Sequence, residues 1–182
     1  MAFNFLLEVK NNLEKEFRKY FPKRIANASL YIDKLKGLSG LEIGGPSFAF
    51  TQKGFIPIYK HIKELDGCNF SADTVWEGKI KSGNTYQFEN KVGYQYILDG
   101  SALTEIKDEQ YDFVLSCHNL EHIANPIKAV LEWKRVLKQS GHLLLILPFK
   151  LGTFNIKKEI TQLLNIFQRI IKTIFQRQII PI

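Results

Sequence analysis

A chain of 182 residues, 45% of them hydrophobic and only two of them cysteine, is long enough to bury one sizeable core, which excludes a mainly disordered or disulfide-stapled chain. The formal charge is +7, yet residues 155–182 carry Lys157, Lys158, Arg169, Lys172 and Arg177 against the single acid Glu159. Most of the excess therefore sits in a basic tail, so no nucleic-acid partner is expected for the rest of the chain. No apolar run reaches the roughly 18 residues of a membrane span. Cys68 and Cys117 lack metal-ligand spacing and no cleavable signal is present, which fits a cytoplasmic protein with no bound metal.

Along the chain, Leu6, Val9, Leu13, Phe17 and Tyr20 recur at three- and four-residue steps, predicting an amphipathic helix over 3–21 that Pro22 ends. A second short helix over 29–36 follows, with Ser29 or Asn27 placed to cap it. Residues 41–43 form the first strand, stopped by Gly44-Gly45-Pro46, because proline cannot donate to a ladder and glycine permits a tight path. An irregular connection is expected over 48–59. Strands are expected at 62–66 and 94–98, with a helix over 74–81 and a turn at 82–84 between them. Residues 113–117 are apolar on both faces, as a central parallel strand should be. Asn125 then caps, and Pro126 opens, a helix that runs to Ser140-Gly141, and a fifth strand spans 142–147. Trp76 and Trp133 are expected to pack against the sheet. Residues 156–175 repeat apolar side chains at helical spacing, predicting a final amphipathic helix.

Alternating strands and helices make an α/β fold with a mostly parallel sheet, and such sheets bind ligands beyond the carboxyl ends of their strands. Three acids stand at or near those ends: Glu42 before the glycine pair, Asp66 about 24 residues later, and Asp99. Glu42 can accept from an ammonium group or water, Asp66 stands near the spacing at which an acid meets ribose hydroxyls, and Asp99 can accept from an adenine amino group. Taken singly, each is also readable as a turn residue. His118, at the mouth of the fourth strand, has the side chain suited to removing a proton near neutral pH. It is equally readable as a polar residue bonded to its loop, and Glu121 with His122 as a pair that fixes the turn.

LEIGGPS (41–47), DGSAL (99–103) and YDFVLSCHNLEHIANPIKAVLEWKRVLKQSGHLLLILP (111–148) together resemble the class I S-adenosylmethionine-dependent methyltransferases, in particular their small-molecule, lipid and glycan group. The resemblance covers about 39–148. It implies a Rossmann-like sheet flanked by helices, and S-adenosylmethionine as cofactor. By position it implies that Glu42, Gly44, Gly45 and Pro46 line the methionine side and Asp66 the ribose. Asp99, Gly100, Ser101 and Ala102 would meet the adenine, and Ser116 and His118 would border the methyl group, with His118 as catalytic base. The absence of GxGxxG argues against a dinucleotide.

The expected activity is in-line methyl transfer to a small-molecule, sugar or lipid acceptor. The last two of the family's usual seven strands are not recognisable, so a methyltransferase domain over 1–154 and a basic amphipathic helix over 155–182 are expected. An uncovered fifth strand would favour a homodimer. The alternative is a non-catalytic scaffold of the same fold, acting through the tail, which could touch a membrane surface.

Overall fold

The computed structural model describes residues 24–74 and 78–147. The first and last predicted helices, Trp76, and the boundary at 154 lie outside the described residues. Helix α1 (Ala28–Leu35) leads into β1 (Ser39–Ile43), and a short 3-10 turn (Phe48–Phe50) interrupts the connection to β2 (Glu64–Asn69). There follow β3 (Asp73–Thr74), β4 (Gly78–Lys79), β5 (Gly83–Phe88) and β6 (Lys91–Ile97), then β7 (Tyr111–Cys117), helix α2 (Pro126–Val136) and β8 (Leu137–Ile146). Among the described residues, no helix is long and apolar enough to cross a membrane.

Six strands form one sheet in the order β5-β6-β2-β1-β7-β8. All neighbouring pairs are parallel except β5 with β6. The α/β class and the mostly parallel Rossmann-like sheet expected from the sequence are therefore present. Residues alternate between the two faces of a strand, and β7 shows the result: Phe113 and Leu115 enter a core with Tyr31, Leu35, Phe50 and Tyr59, whereas Val114 enters the opposite core with Val130 and Trp133. The central strands are buried on both sides, which is why they read as continuous apolar runs.

Helix boundaries follow local chemistry. At α2, Asn125 accepts a hydrogen bond from the Lys128 amide at 3.0 Å and Pro126 fills the first turn, satisfying one of the amides that a helix start leaves without a partner. Its end comes earlier than the periodicity predicts. Leu137 already pairs with Tyr111, and Lys138 Nζ donates to Asp112 at 2.7 Å, so this edge contact draws the chain into β8 at once. In α1, Asn27 occupies the cap position, but its side chain makes no capping bond.

Three expectations are overturned between β2 and β6. The second strand does not end at Asp66. Its ladder continues to Asn69, because Gly67, Cys68 and Asn69 pair with Gln95, Tyr96 and Ile97. The expected helix over 74–81 is absent: Asp73 pairs with Lys79 and Thr74 with Gly78 in a small antiparallel ribbon, with Gly78 at φ +65°. The expected turn at 82–84 is instead the start of β5, in which Tyr86 and Phe88 are buried while Thr85 and Gln87 are exposed. β5 and β6 form a hairpin around Glu89 and Asn90, with Glu89 in the left-handed region at φ 50°.

Packing between this hairpin and β2 leaves no space for a side chain at Gly93, where a Cβ would run into the Leu65 carbonyl oxygen. Backbone cannot yield as a flexible side chain can. Gly93→Ala should therefore lower the stability of the domain by about 1–3 kcal/mol, read as a fall in the urea midpoint; an unchanged midpoint would contradict this packing.

Candidate functional site

β1 is the point where strand order reverses, since β2 lies on one side of it and β7 on the other. Such reversal points open a crevice beyond the strand ends. A cavity of about 670 Å³ lies there, lined from β1 by Ile43 and Gly44, from the end of β2 by Cys68, Asn69 and Phe70, and from the segment after β6 by Asp99, Gly100 and Ser101. His118, Asn119 and His122 close it from the β7 side, and Ile123, Asn125 and Lys128 from the start of α2. The size falls within the range of about 300–1,000 Å³ usual for small-molecule and cofactor sites.

Two glycines shape the floor. Gly44 stands at φ +78°, and a Cβ on it would lie 2.7 Å from Asn119 Cγ; its amide donates to the Cys68 carbonyl at 2.9 Å. Gly100 is buried and its carbonyl accepts from Trp133 Nε1 at 2.9 Å. Asp99 caps its own loop: its carboxylate accepts from the Ser101 amide at 2.8 Å and its carbonyl from the Ala102 amide at 2.8 Å. These bonds to Ser101 hold the Asp99 carboxyl below its ordinary pKa. It faces the cavity ionised at neutral pH.

The loop after Asp99 is gripped by α2. Arg135 donates to the carbonyls of Ile106 at 2.9 Å and Leu103 at 2.8 Å, and also to Asp108 and Glu132. Glu132 accepts from the Leu103 amide at 3.0 Å. A planar guanidinium can satisfy several acceptors in one fixed geometry, so the loop is fastened to the helix at several points.

Glu42 does not line the cavity. Its carboxylate is completely buried beneath the 44–46 turn, on the side of the sheet facing the first core. It accepts from Tyr59 Oη at 2.6 Å, Tyr86 Oη at 2.8 Å and the Ser47 amide at 3.1 Å. Burial holds its pKa above the ordinary carboxylate range, and these hydrogen bonds offset that rise only in part. Gly45 rests directly on this group, since a Cβ there would collide with Glu42 Cδ and Tyr86 Oη. The Gly45–Pro46 peptide is cis. Pro46 and Ala102 lie outside the cavity lining.

Asp66 is not brought to the site. It faces the far end of the sheet, accepting from Tyr111 Oη at 2.7 Å and the Tyr94 amide at 2.8 Å. The position at the strand end belongs instead to Asn69, whose Nδ2 donates to the Gly45 carbonyl at 3.0 Å, and to Phe70, 77% exposed. Neither was singled out from the sequence, because the strand boundary was set three residues early. Ser116 is fully buried behind the lining, and its Oγ has no hydrogen-bond partner among the described residues.

His118 sits at the rim at φ 50°, anchored by its amide to the Ile146 carbonyl at 2.9 Å. Its Nδ1 lies 3.8 Å from Glu121 Oε1, and His122 Nε2 lies 4.0 Å from the same oxygen. Glu121 and His122 occupy a short 3-10 turn (Leu120–His122) rather than the start of α2. One carboxylate thus stands between two imidazoles at the mouth. No group of three or more metal-ligating side chains is assembled among the described residues.

Residues 58–145 match the methyltransferase domain family. No curated protein matches the chain. Among solved structures, a candidate methyltransferase from an antibiotic biosynthesis pathway of Anabaena variabilis superposes with a TM-score of 0.54 at 14% identity, over 83% of this chain and 61% of that one. A candidate S-adenosylmethionine-dependent methyltransferase from Methanococcus maripaludis gives 0.52 at 16% identity, over 81% of this chain and 74% of that one. A candidate methyltransferase from Bacillus halodurans is 24% identical over 66% of this chain and 50% of that one, with a TM-score of 0.45. This chain spans about half the length of several of the solved proteins it matches.

If Arg135 fixes the loop at the cavity wall, Arg135→Ala should raise amide hydrogen exchange in residues 101–108 by at least about tenfold, the equivalent of one lost charged hydrogen bond. Exchange in β1 should not change. Equal acceleration throughout the sheet would assign Arg135 to global stability instead.

Proposed function

We propose that this class I methyltransferase domain binds S-adenosylmethionine in the cavity beyond β1, β2 and β6 and transfers its methyl group to a hydroxyl or amine of a small-molecule, sugar or lipid acceptor. The observation that carries the reading is the cavity itself. It lies at the reversal point of the sheet, floored by Gly44 and Gly100 and walled by Asp99, with the size of a nucleoside-containing ligand. Missing side chains at the two glycines allow a ligand to approach the backbone, and Asp99 and Ser101 offer polar groups to a base.

The remaining roles follow from placement. Asn69 and Phe70 at the end of β2 take the part that the sequence assigned to Asp66: an amide for the sugar and an exposed ring for stacking. Glu42 acts from beneath the turn through its charge, not by contact, and Gly45 and Pro46 carry the backbone over it. Ser116 and Ala102 contribute wall and loop structure.

When bound, the cofactor would supply a methyl carbon activated by a positively charged sulfur, open to in-line attack by the acceptor's lone pair as the carbon–sulfur bond breaks and the neutral thioether leaves. The protein's task is then alignment and exclusion of water. His118 at the rim takes the proton that the acceptor loses, and Glu121 steadies the resulting imidazolium. No covalent enzyme intermediate is required.

Binding to the native state must raise its stability. S-adenosylmethionine at a hundredfold over its Kd should stabilise the domain by about 2.7 kcal/mol, read as an upward thermal shift; no shift with either the cofactor or its demethylated product would refute the assignment. His118→Ala should lower turnover of a hydroxyl or amine acceptor by about 10²-fold or more while leaving cofactor affinity within about twofold. Undiminished turnover would remove His118 from the proton transfer.

A further inference from the structure

The carboxylate of Glu42 has no place in the proton transfer, yet it is the most deeply enclosed charged group of the described residues, with zero exposure. Its donors are all neutral: two phenols on Oε2 and one backbone amide on Oε1. Burying a carboxylate without a cation is costly, and neutral hydrogen bonds offset that cost only in part. A positive charge arriving in the adjoining cavity would complete what the fold leaves open.

The two phenols are held from opposite directions. Tyr59 comes from the connection after β1, its hydroxyl also accepting from the Ser47 amide at 2.7 Å, and its ring packs edge-on against Phe50 and Phe88 with centroids 5.9 and 5.7 Å away. Tyr86 comes from β5, its ring 6.2 Å from Phe88. Both hydroxyls are driven far above the ordinary tyrosine range, by burial first and then by the Glu42 charge. They therefore act as fixed donors at every accessible pH. The turn that floors the cavity lies on this assembly, because Gly45 packs against both Glu42 and Tyr86.

We infer that Tyr59 and Tyr86 are positioning residues that keep Glu42 a buried anion under the 44–46 turn, so that the site discriminates a sulfonium cofactor from its neutral thioether product. The inference rests on the S-adenosylmethionine reading given above. The discrimination belongs to the protonation state of Glu42. The groups that face it are the Ser47 amide and Tyr59 from the connection, Tyr86 from β5, and Cys117 from β7, whose thiol is pushed up to about 12 by burial first and then by Glu42 and Glu121. None is a cation.

Calorimetric titration of the full chain with S-adenosylmethionine and S-adenosylhomocysteine gives two dissociation constants, and their ratio is the readout. Glu42→Gln keeps the shape and removes the charge; it should shift the ratio against the sulfonium by about tenfold, the loss of one partly screened charge interaction. Tyr59→Phe and Tyr86→Phe each remove a donor to the anion, so the Glu42 pKa should climb in both variants. As the pH falls, their ratio should move toward that of Glu42→Gln before the parent's does, and as the pH rises it should return to that of the parent. Glu42→Gln should show no such pH dependence.

Equal weakening of both ligands, with the ratio constant across pH, would leave the tyrosines with a purely structural role and overturn the inference. If the parent binds neither ligand, the cofactor reading fails with it. Parental binding combined with an unchanged ratio in Glu42→Gln rejects the inference alone. The single tyrosine substitutions and the isosteric glutamine each suffice for the test if another variant does not fold.

Discussion

A carboxyl group sealed beneath a glycine turn is the constraint around which this domain is arranged. Glu42 sits one residue from the end of β1, fully enclosed, and its lone pairs are taken up by donors from two separate stretches of chain, the connection after the 44–46 turn and the β5–β6 hairpin. Each stretch must be in place for the carboxylate to be tolerated, since a buried charge with too few donors costs several kcal/mol, on the order of the net stability of a small domain. The 44–46 turn, the 48–59 connection and the β5–β6 hairpin are therefore bound to one another through a single side chain. What lies above that side chain is the cavity floor, so stability and binding share one set of contacts.

The opposite wall is held by a different device. There the loop after β6 is fastened to α2 through Arg135, Glu132 and the Trp133 indole, which together reach backbone groups of Gly100, Leu103 and Ile106. Hydrogen bonds from side chains to loop backbone replace the ladder that a strand would have supplied, and they satisfy groups that would otherwise be left unpaired. One wall thus depends on a buried anion and the other on a half-buried cation.

Much of this was legible in the sequence where local chemistry decides structure. Asn125-Pro126 announces α2 because a side-chain cap and a pre-set φ both act within one turn, and the apolar run 113–117 announces a strand buried on both faces. Gly44 and Asp99 could be placed at strand ends because glycine permits a tight backbone path and aspartate bonds its own turn, and both line the cavity. The failures have a common cause. Asp66 was placed at a strand end because a strand over 62–66 puts an acid about 24 residues after Glu42, near the spacing for ribose hydroxyls, whereas Tyr111, 45 residues away, supplies a donor to it in mid-strand. A helix over 74–81 was expected between the strands at 62–66 and 94–98, but the pairing of β3 with β4 and of β5 with β6 makes this stretch ribbon and hairpin. Alternation in Thr85, Tyr86, Gln87 and Phe88, followed by the two-residue loop Glu89-Asn90, was the available signal. The role of Tyr59 and Tyr86 was not readable at all, because nothing local marks a tyrosine whose hydroxyl meets a carboxylate 17 or 44 residues before it.

That last separation has a consequence for how the domain assembles. The hairpin that delivers Tyr86 joins the sheet through β6 against β2, and contacts between distant parts of a chain form only after the intervening loop has been closed, at a cost in entropy. β1 itself pairs only with the distant strands β2 and β7, and Glu42 has its full set of donors only once the hairpin has docked. The floor of the cavity is therefore complete only after residue 88 has joined the sheet, and a polypeptide ending short of that point would possess Gly44 and Gly45 without the phenol on which their turn rests.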